Sequence, residues 1–159
     1  MSEKSVEKIS LLEQEGEVAA DYLEGLLDIA DLDGDIDMDV ENGRAMVSIV
    51  GADLSQLVGP KGSVLESLQE LTRLAVTRET GERSRLMLDI SGYRASVRER
   101  LIKVANEAAA QAIETGEVVK LKPMNAFERK IVHDAVGVAG AVSASEGVEP
   151  KRHIVVHPS

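Results

Sequence analysis

The chain has 159 residues, which suits one compact domain or two very small ones. Its 43% apolar content allows a core, but aromatics make up only 2%, which weakens any mode of RNA binding that relies on base stacking. The absence of cysteine excludes a disulfide framework, a cysteine-ligated zinc and a thiol nucleophile. Without a long apolar run or a signal-peptide pattern, we expect a cytoplasmic protein with no membrane span.

The net charge of −10 is unevenly distributed. Residues 1–42 hold 14 acidic and 2 basic residues, whereas residues 43–159 hold 14 acidic and 16 basic residues. The acid is therefore concentrated at one end, and a nucleic-acid partner stays compatible with the remainder. Such binding is expected to be modest and to weaken with salt.

The first half of the chain is predicted to alternate between helix and strand. Residues 5–30 have helical apolar spacing, and Ile36, Met38 and Val40 alternate with aspartates as a half-buried strand. The Asn42-Gly43 dipeptide predicts a hairpin to a return strand over residues 44–50.

Two helices and a strand are predicted next. Asp53 is predicted to cap a short helix that ends at Leu57, and a longer helix begins at Gly62 or Ser63. The longer helix has an apolar stripe predicted to face inward: Val64, Leu65, Leu68, Leu71, Leu74 and Ala75. A third strand is predicted around Leu86 to Ile90.

The second half begins with a helix over 93–115 and a short strand over 118–121. A helix over 125–136, capped by Asn125, and strands over 141–145 and 153–157 complete the chain. The predicted fold class is α+β, in two pieces.

The tetrapeptide Gly59-Pro60-Lys61-Gly62 separates the two predicted helices of the first half. Glycines allow tight backbone geometry and close approach of a sugar-phosphate chain, a helix start offers N–H groups to an anion, and Lys61 adds positive charge. On spacing alone, a turn without a ligand is an equally good interpretation.

The loop and its surroundings resemble a KH domain of the type ordered α-β-β-α-α-β, over roughly residues 16–90. In that family the G-x-x-G loop clamps about four unpaired nucleotides, and the bases lie in an adjoining apolar groove. The P-loop pattern fits poorly because the glycines are too close together and follow a helix.

Arg129 and His133 lie four residues apart on a predicted helix. Phe127, Ile131, Ala135 and Val138 are predicted to form its inward face, so we expect Arg129 and His133 to be exposed together and able to hold a phosphate. Without further context, an ordinary solvated face is the better interpretation. Neither a metal site nor a catalytic triad is supported.

The Arg-x-x-x-His spacing, followed by residues 145–152 and a strand over 153–156, resembles the R-three-H domain. That family is associated with single-stranded nucleic acid, and the resemblance covers about residues 93–158. It implies that Arg129, Lys130, His133 and Arg152 contact RNA.

A KH unit followed by an R-three-H unit resembles the bacterial Jag family, also called KhpB. The implied division is an acidic helix over 1–30 that packs on a KH domain over 31–91, joined by the long helix to an R-three-H domain over 92–158. Many members carry a further N-terminal domain and a basic linker, whereas here only a short acidic helix is expected before the first strand.

The resemblance implies a non-enzymatic, cytoplasmic binder of single-stranded RNA, or of single-stranded DNA, with no cofactor or metal. A post-transcriptional regulator or RNA chaperone is the first interpretation. The alternative is an interaction module with weak RNA affinity that pairs with a small KH-domain protein or with itself. The acidic first 42 residues and the scarcity of aromatics favour this alternative.

Overall fold

The computed structural model describes residues 2–159. The helices are α1 (Glu3–Ala30), α2 (Ser55–Val58), α3 (Ser63–Thr80), α4 (Tyr93–Thr115) and α5 (Ala126–Val138). The strands are β1 (Asp35–Glu41), β2 (Arg44–Val50), β3 (Met87–Ile90), β4 (Val119–Lys120), β5 (Val142–Glu146) and β6 (His153–His157). The fold class is α+β, as predicted, and the elements follow in the predicted order.

Two compact units divide the chain, Met1–Arg94 and Ala95–Ser159. Each has its own apolar core. In the part of the chain that the structure describes, no helix combines the length and apolar character needed to cross a membrane.

The first unit is built on a three-stranded sheet in the order β1-β2-β3. β1 and β2 form the predicted hairpin, in which Asn42 and Gly43 both have positive φ, and β2 pairs with β3 in parallel. Alternate residues of β2 and β3 are buried, and α1 packs on β1, β2 and α3 above this face. The acidic side chains of β1 remain exposed.

The inward face of α3 differs from the predicted stripe. The buried residues are Leu65, Leu68, Gln69, Thr72 and Val76. Val64, Leu71 and Leu74 are 38%, 52% and 65% exposed, so their predicted burial is wrong. The physical reason is that two polar side chains turn inward with hydrogen bonds: Thr72 Oγ1 donates to the Leu68 C=O at 2.7 Å, and Gln69 accepts from β3.

Side chains form hydrogen bonds with the backbone of the edge strand β3 and of the residue before it. The Leu88 N–H donates to Gln69 Oε1 at 3.0 Å, and the Leu88 C=O accepts from Arg94 Nε at 2.7 Å. Arg94 Nη2 also donates to Gln69 Oε1, and Arg73 Nε donates to the Leu86 C=O. These contacts join α3, β3 and the first turn of α4.

The short helix α2 does not begin as predicted. Asp53 has φ +58°, and Leu54 stands at the N-cap without a side-chain hydrogen bond. Asp53 therefore does not cap α2, because the helix starts one residue later than the aspartate would require. Leu54 is instead buried in the core of the first unit.

The second unit has an antiparallel sheet in the order β4-β6-β5. Its core is formed by alanines of α4, the apolar face of α5, and residues of β6. Asn125 caps α5 as predicted, and Glu128 completes a capping box: Asn125 Oδ1 accepts from the Glu128 N–H, and Glu128 Oε1 accepts from the Asn125 N–H.

Candidate nucleic-acid interface

The loop between α2 and α3 depends on left-handed backbone angles. Gly59, Lys61 and Gly62 have φ of +72°, +54° and +75°. A Cβ atom on Gly59 would collide with Val64, and one on Gly62 would lie 2.7 Å from the Tyr93 ring. Both glycines are therefore required for this loop to close, and Tyr93 packs directly against its end.

Backbone groups of the loop form hydrogen bonds with one another. The Gly62 N–H donates to the Gly59 C=O at 3.2 Å, and the Ser63 N–H donates to the Pro60 C=O. These two amides at the start of α3 are therefore not free for an anion. The Lys61 side chain is exposed, and the structure over residues 2–159 gives it no ion pair.

Gly62→Ala should destabilise the first unit more than Gly81→Ala does. Both glycines have nearly the same positive φ, but a Cβ on Gly81 would meet nothing within 4 Å. The left-handed conformation alone should cost about 1 kcal/mol at either position, and the contact with Tyr93 adds to it at Gly62. Urea denaturation of both variants measures the difference; equal losses would mean that the Tyr93 ring moves aside freely.

Arg129 is only 8% exposed and bonds within the second unit. Its Nη1 donates to the Met124 C=O and, at 2.9 Å, to Glu149 Oε1 in the loop between β5 and β6. The guanidinium therefore ties the start of α5 to that loop.

His133 is half-buried and bridges two serines of β5. Its Nδ1 lies 2.6 Å from Ser143 Oγ, and its Nε2 lies 2.9 Å from Ser145 Oγ. Both ring nitrogens are thus engaged by hydroxyl groups of one strand. The alternation of Ser143 and Ser145 along β5, which places both on one face, is the sequence signal that could have predicted these partners.

The prediction that Arg129 and His133 are exposed together is wrong. The buried face of α5 holds Arg129, Ile131, Val132 and Val136. Phe127 and Val138, predicted to face inward, are 42% and 92% exposed. The helix is therefore rotated by roughly a third of a turn from the predicted orientation, at about 100° per residue, because the guanidinium is buried with acceptors.

Lys130 and Arg152 are the other two predicted contacts in this unit. Lys130 is exposed on α5, and Arg152 is half-buried, with Nη1 donating to the Gly147 C=O at 2.9 Å. The Arg152 C=O accepts from the Met124 N–H at 3.1 Å, which places its backbone beside the start of α5. Lys130 and residues 149–152 thus border the first turns of α5.

Comparison with known proteins assigns a domain family to the second unit. Residues 99–158 match the R-three-H domain family. A Bacillus subtilis protein named RNA-binding protein KhpB is 32% identical over 158 residues, which covers 96% of this chain and 73% of that protein. The chain belongs to the KhpB family.

Other KhpB relatives differ in how much of their length is matched. The Clostridium symbiosum RNA-binding protein KhpB is 34% identical over 141 residues, 87% of this chain and 64% of the relative. The Lactiplantibacillus plantarum KhpB is 30% identical over 137 residues, 86% of this chain but 42% of the relative. The chain thus spans less than two thirds of these two KhpB proteins. The predicted Jag/KhpB family is confirmed.

Proposed function

We propose that this chain binds single-stranded RNA, and single-stranded DNA through the same phosphate contacts, as a post-transcriptional regulator or RNA chaperone. The names of its relatives, RNA-binding protein KhpB, and the R-three-H match support RNA binding. The observation that carries the proposal is the exposed Lys61 in a turn framed by two obligatory glycines. No catalytic step is part of this function, and we propose a cytoplasmic location.

The first contact is at the loop Gly59–Gly62, within the KH domain that we assign to residues 31–91. A loop without side chains at its two glycines lets a sugar-phosphate backbone approach closely, and Lys61 supplies the charge. Val64 stands beside the loop and is partly exposed, so it offers apolar surface to a base. Backbone contact of this kind gives affinity with little sequence preference.

The second contact is in the second unit, near the start of α5. Arg129 uses Nη1 for protein acceptors, while its Nε and Nη2 have no protein acceptor among residues 2–159. Arg129 is 8% exposed, and we propose that these two donors lie at the accessible edge of its guanidinium. Together with Lys130 and Arg152 they can bind a phosphate, and His133 holds α5 against β5.

The test replaces Pro60 and Lys61 together with Asp. Two carboxylates where a phosphate would lie should weaken binding to a short single-stranded RNA at least tenfold at physiological salt. The fold should persist, because Asp tolerates the left-handed angle of Lys61 and Pro60 has no N–H to lose. Fluorescence anisotropy measures the affinity, and circular dichroism checks the fold.

A matched control is Lys4→Asp with Ser5→Asp on exposed positions of α1. Both double variants remove one lysine and add two carboxylates, so they change the net charge equally. Equal affinities for the two variants would mean that the loop has no specific role.

The salt dependence of the wild-type affinity counts the phosphates bound in total, since the slope of log K against log salt is about −0.7 per phosphate on single strands.

A second candidate function is pairing with a small KH-domain protein or with a second copy. The specific observation is that Leu71 and Leu74 are exposed, and that Leu74 borders an open groove with Val18 and Tyr22 of α1. Apolar surface of this kind marks interaction sites. If the chain alone does not bind RNA and binding appears only when a KH partner is added, this second function is the better one.

A further inference from the structure

We propose that Phe127 is a base-stacking residue of the RNA site on α5. The proposal rests on the proposed function, and it adds a contact of a different chemical kind. The contacts described so far reach phosphates, whereas a stacked ring contacts the base itself.

Phe127 has no role in the core that would explain a large aromatic side chain. It is 42% exposed, and it belongs neither to the buried cluster of the second unit nor to the apolar side chains packed against that cluster. Arg129, Ile131 and Val132 hold α5 to the sheet without it. Its ring is therefore available on the surface.

The charges around Phe127 suit a nucleic acid. Lys130 is exposed three residues later, so the two side chains are neighbours on the helix surface. Arg129 belongs to the same two turns but lies about 200° away around the helix, on its buried face, so Lys130 is the cation beside Phe127. Asp134 shares the exposed face; it lies about 10 Å from Phe127 along the helix axis and one turn after Lys130, which confines the favourable surface to the first turns.

The other aromatic residues cannot serve in the same way. Tyr22 and Tyr93 are partly buried and pack against the core of the first unit. Among residues 2–159, Phe127 is the one aromatic side chain classed as exposed. The scarcity of aromatics in the sequence therefore argues against extensive stacking, but it leaves one exposed ring beside the exposed Lys130.

The experiment compares Phe127→Leu with Phe127→Trp in the full chain. Leucine keeps the apolar character without a flat ring, so affinity for a short single-stranded RNA of mixed sequence should fall about 5- to 150-fold, the range that stacking of one base corresponds to. Tryptophan should bind at least as tightly as the wild type. The sequence contains no tryptophan, so quenching of its emission by bound RNA reports on position 127.

A second readout separates stacking from a general effect on the helix. The wild type should bind RNA more tightly than the same backbone without bases, and Phe127→Leu should lose most of that preference. Val138→Ala, at an exposed apolar position near the end of the same helix, is the matched control and should leave affinity unchanged. Thermal unfolding of all three variants should match the wild type.

The outcomes distinguish the two proposals. If the wild type does not bind RNA, the proposed function fails. If the wild type binds and Phe127→Leu binds equally well, or the tryptophan emission is unaffected by RNA, then Phe127 does not stack and the phosphate contacts stand alone. A loss of affinity with an unchanged preference for bases would assign Phe127 a packing role and overturn the proposal.

Discussion

Replacing Arg129 and His133 together with Ala should lower the free energy of unfolding of the second unit by about 2–4 kcal/mol. Arg129 is buried, and its loss leaves the Met124 C=O and Glu149 without their donor. Loss of His133 removes the bridge between Ser143 and Ser145. Arg129 is structural as well as a candidate ligand of RNA, and His133 is structural. If both side chains were exposed, the loss would be only about 0.5 kcal/mol.

Lys130→Ala is the matched control for this prediction, because it lies between the pair on the same helix and is exposed. Urea denaturation gives the free energies, and amide hydrogen exchange on α5 locates the loss in the second unit. A double variant as stable as Lys130→Ala would contradict the structural role. Any loss of RNA affinity in the double variant must be corrected for this loss of stability.

Arg94→Ala should lower the free energy of unfolding of the first unit by about 2–3 kcal/mol. Arg94 Nε donates to the Leu88 C=O, Nη2 donates to Gln69, and Nη1 lies 4.0 Å from Glu66. Removing the side chain leaves the carbonyl of an edge strand and a buried amide oxygen with fewer donors. Arg94→Lys should recover part of the loss, because an ammonium cannot reproduce the fork of a guanidinium.

Arg98→Ala is the control, since Arg98 is exposed one turn later on the same helix. It should change the free energy of unfolding by no more than about 0.5 kcal/mol. Equal stability of Arg94→Ala and Arg98→Ala would show that water replaces the lost donor at no cost.

The sequence was sufficient to predict the elements of both units. Periodicity, the Asn42-Gly43 turn and the cap at Asn125 depend on local contacts, so they could be recognised without tertiary information. The elements themselves appear where predicted, including α4 over Tyr93–Thr115. The predicted capping of α2 by Asp53 is wrong, because Asp53 itself has a left-handed backbone conformation.

The inward faces of α3 and α5 could not be predicted in the same way. A prediction from the spacing of apolar residues assumes that polar side chains face water. Gln69 and Arg129 are buried instead, because each forms a hydrogen bond with a residue distant in sequence. Their partners, Leu88 and Glu149, lie about 20 residues away in sequence, so no local rule pairs them. The same assumption misplaced Phe127, which apolar patterning assigned to the core.

The occupied backbone of β3 has a consequence for how the first sheet can associate. An open edge strand is a template on which another chain can add a strand, either in a partner complex or in aggregation. At β3, Gln69, Arg73 and Arg94 already take backbone groups of Leu86 and Leu88. At β1, the opposite edge, a row of exposed carboxylates repels an acidic strand and would be desolvated by an apolar one. Strand addition is thus disfavoured at both edges of this sheet.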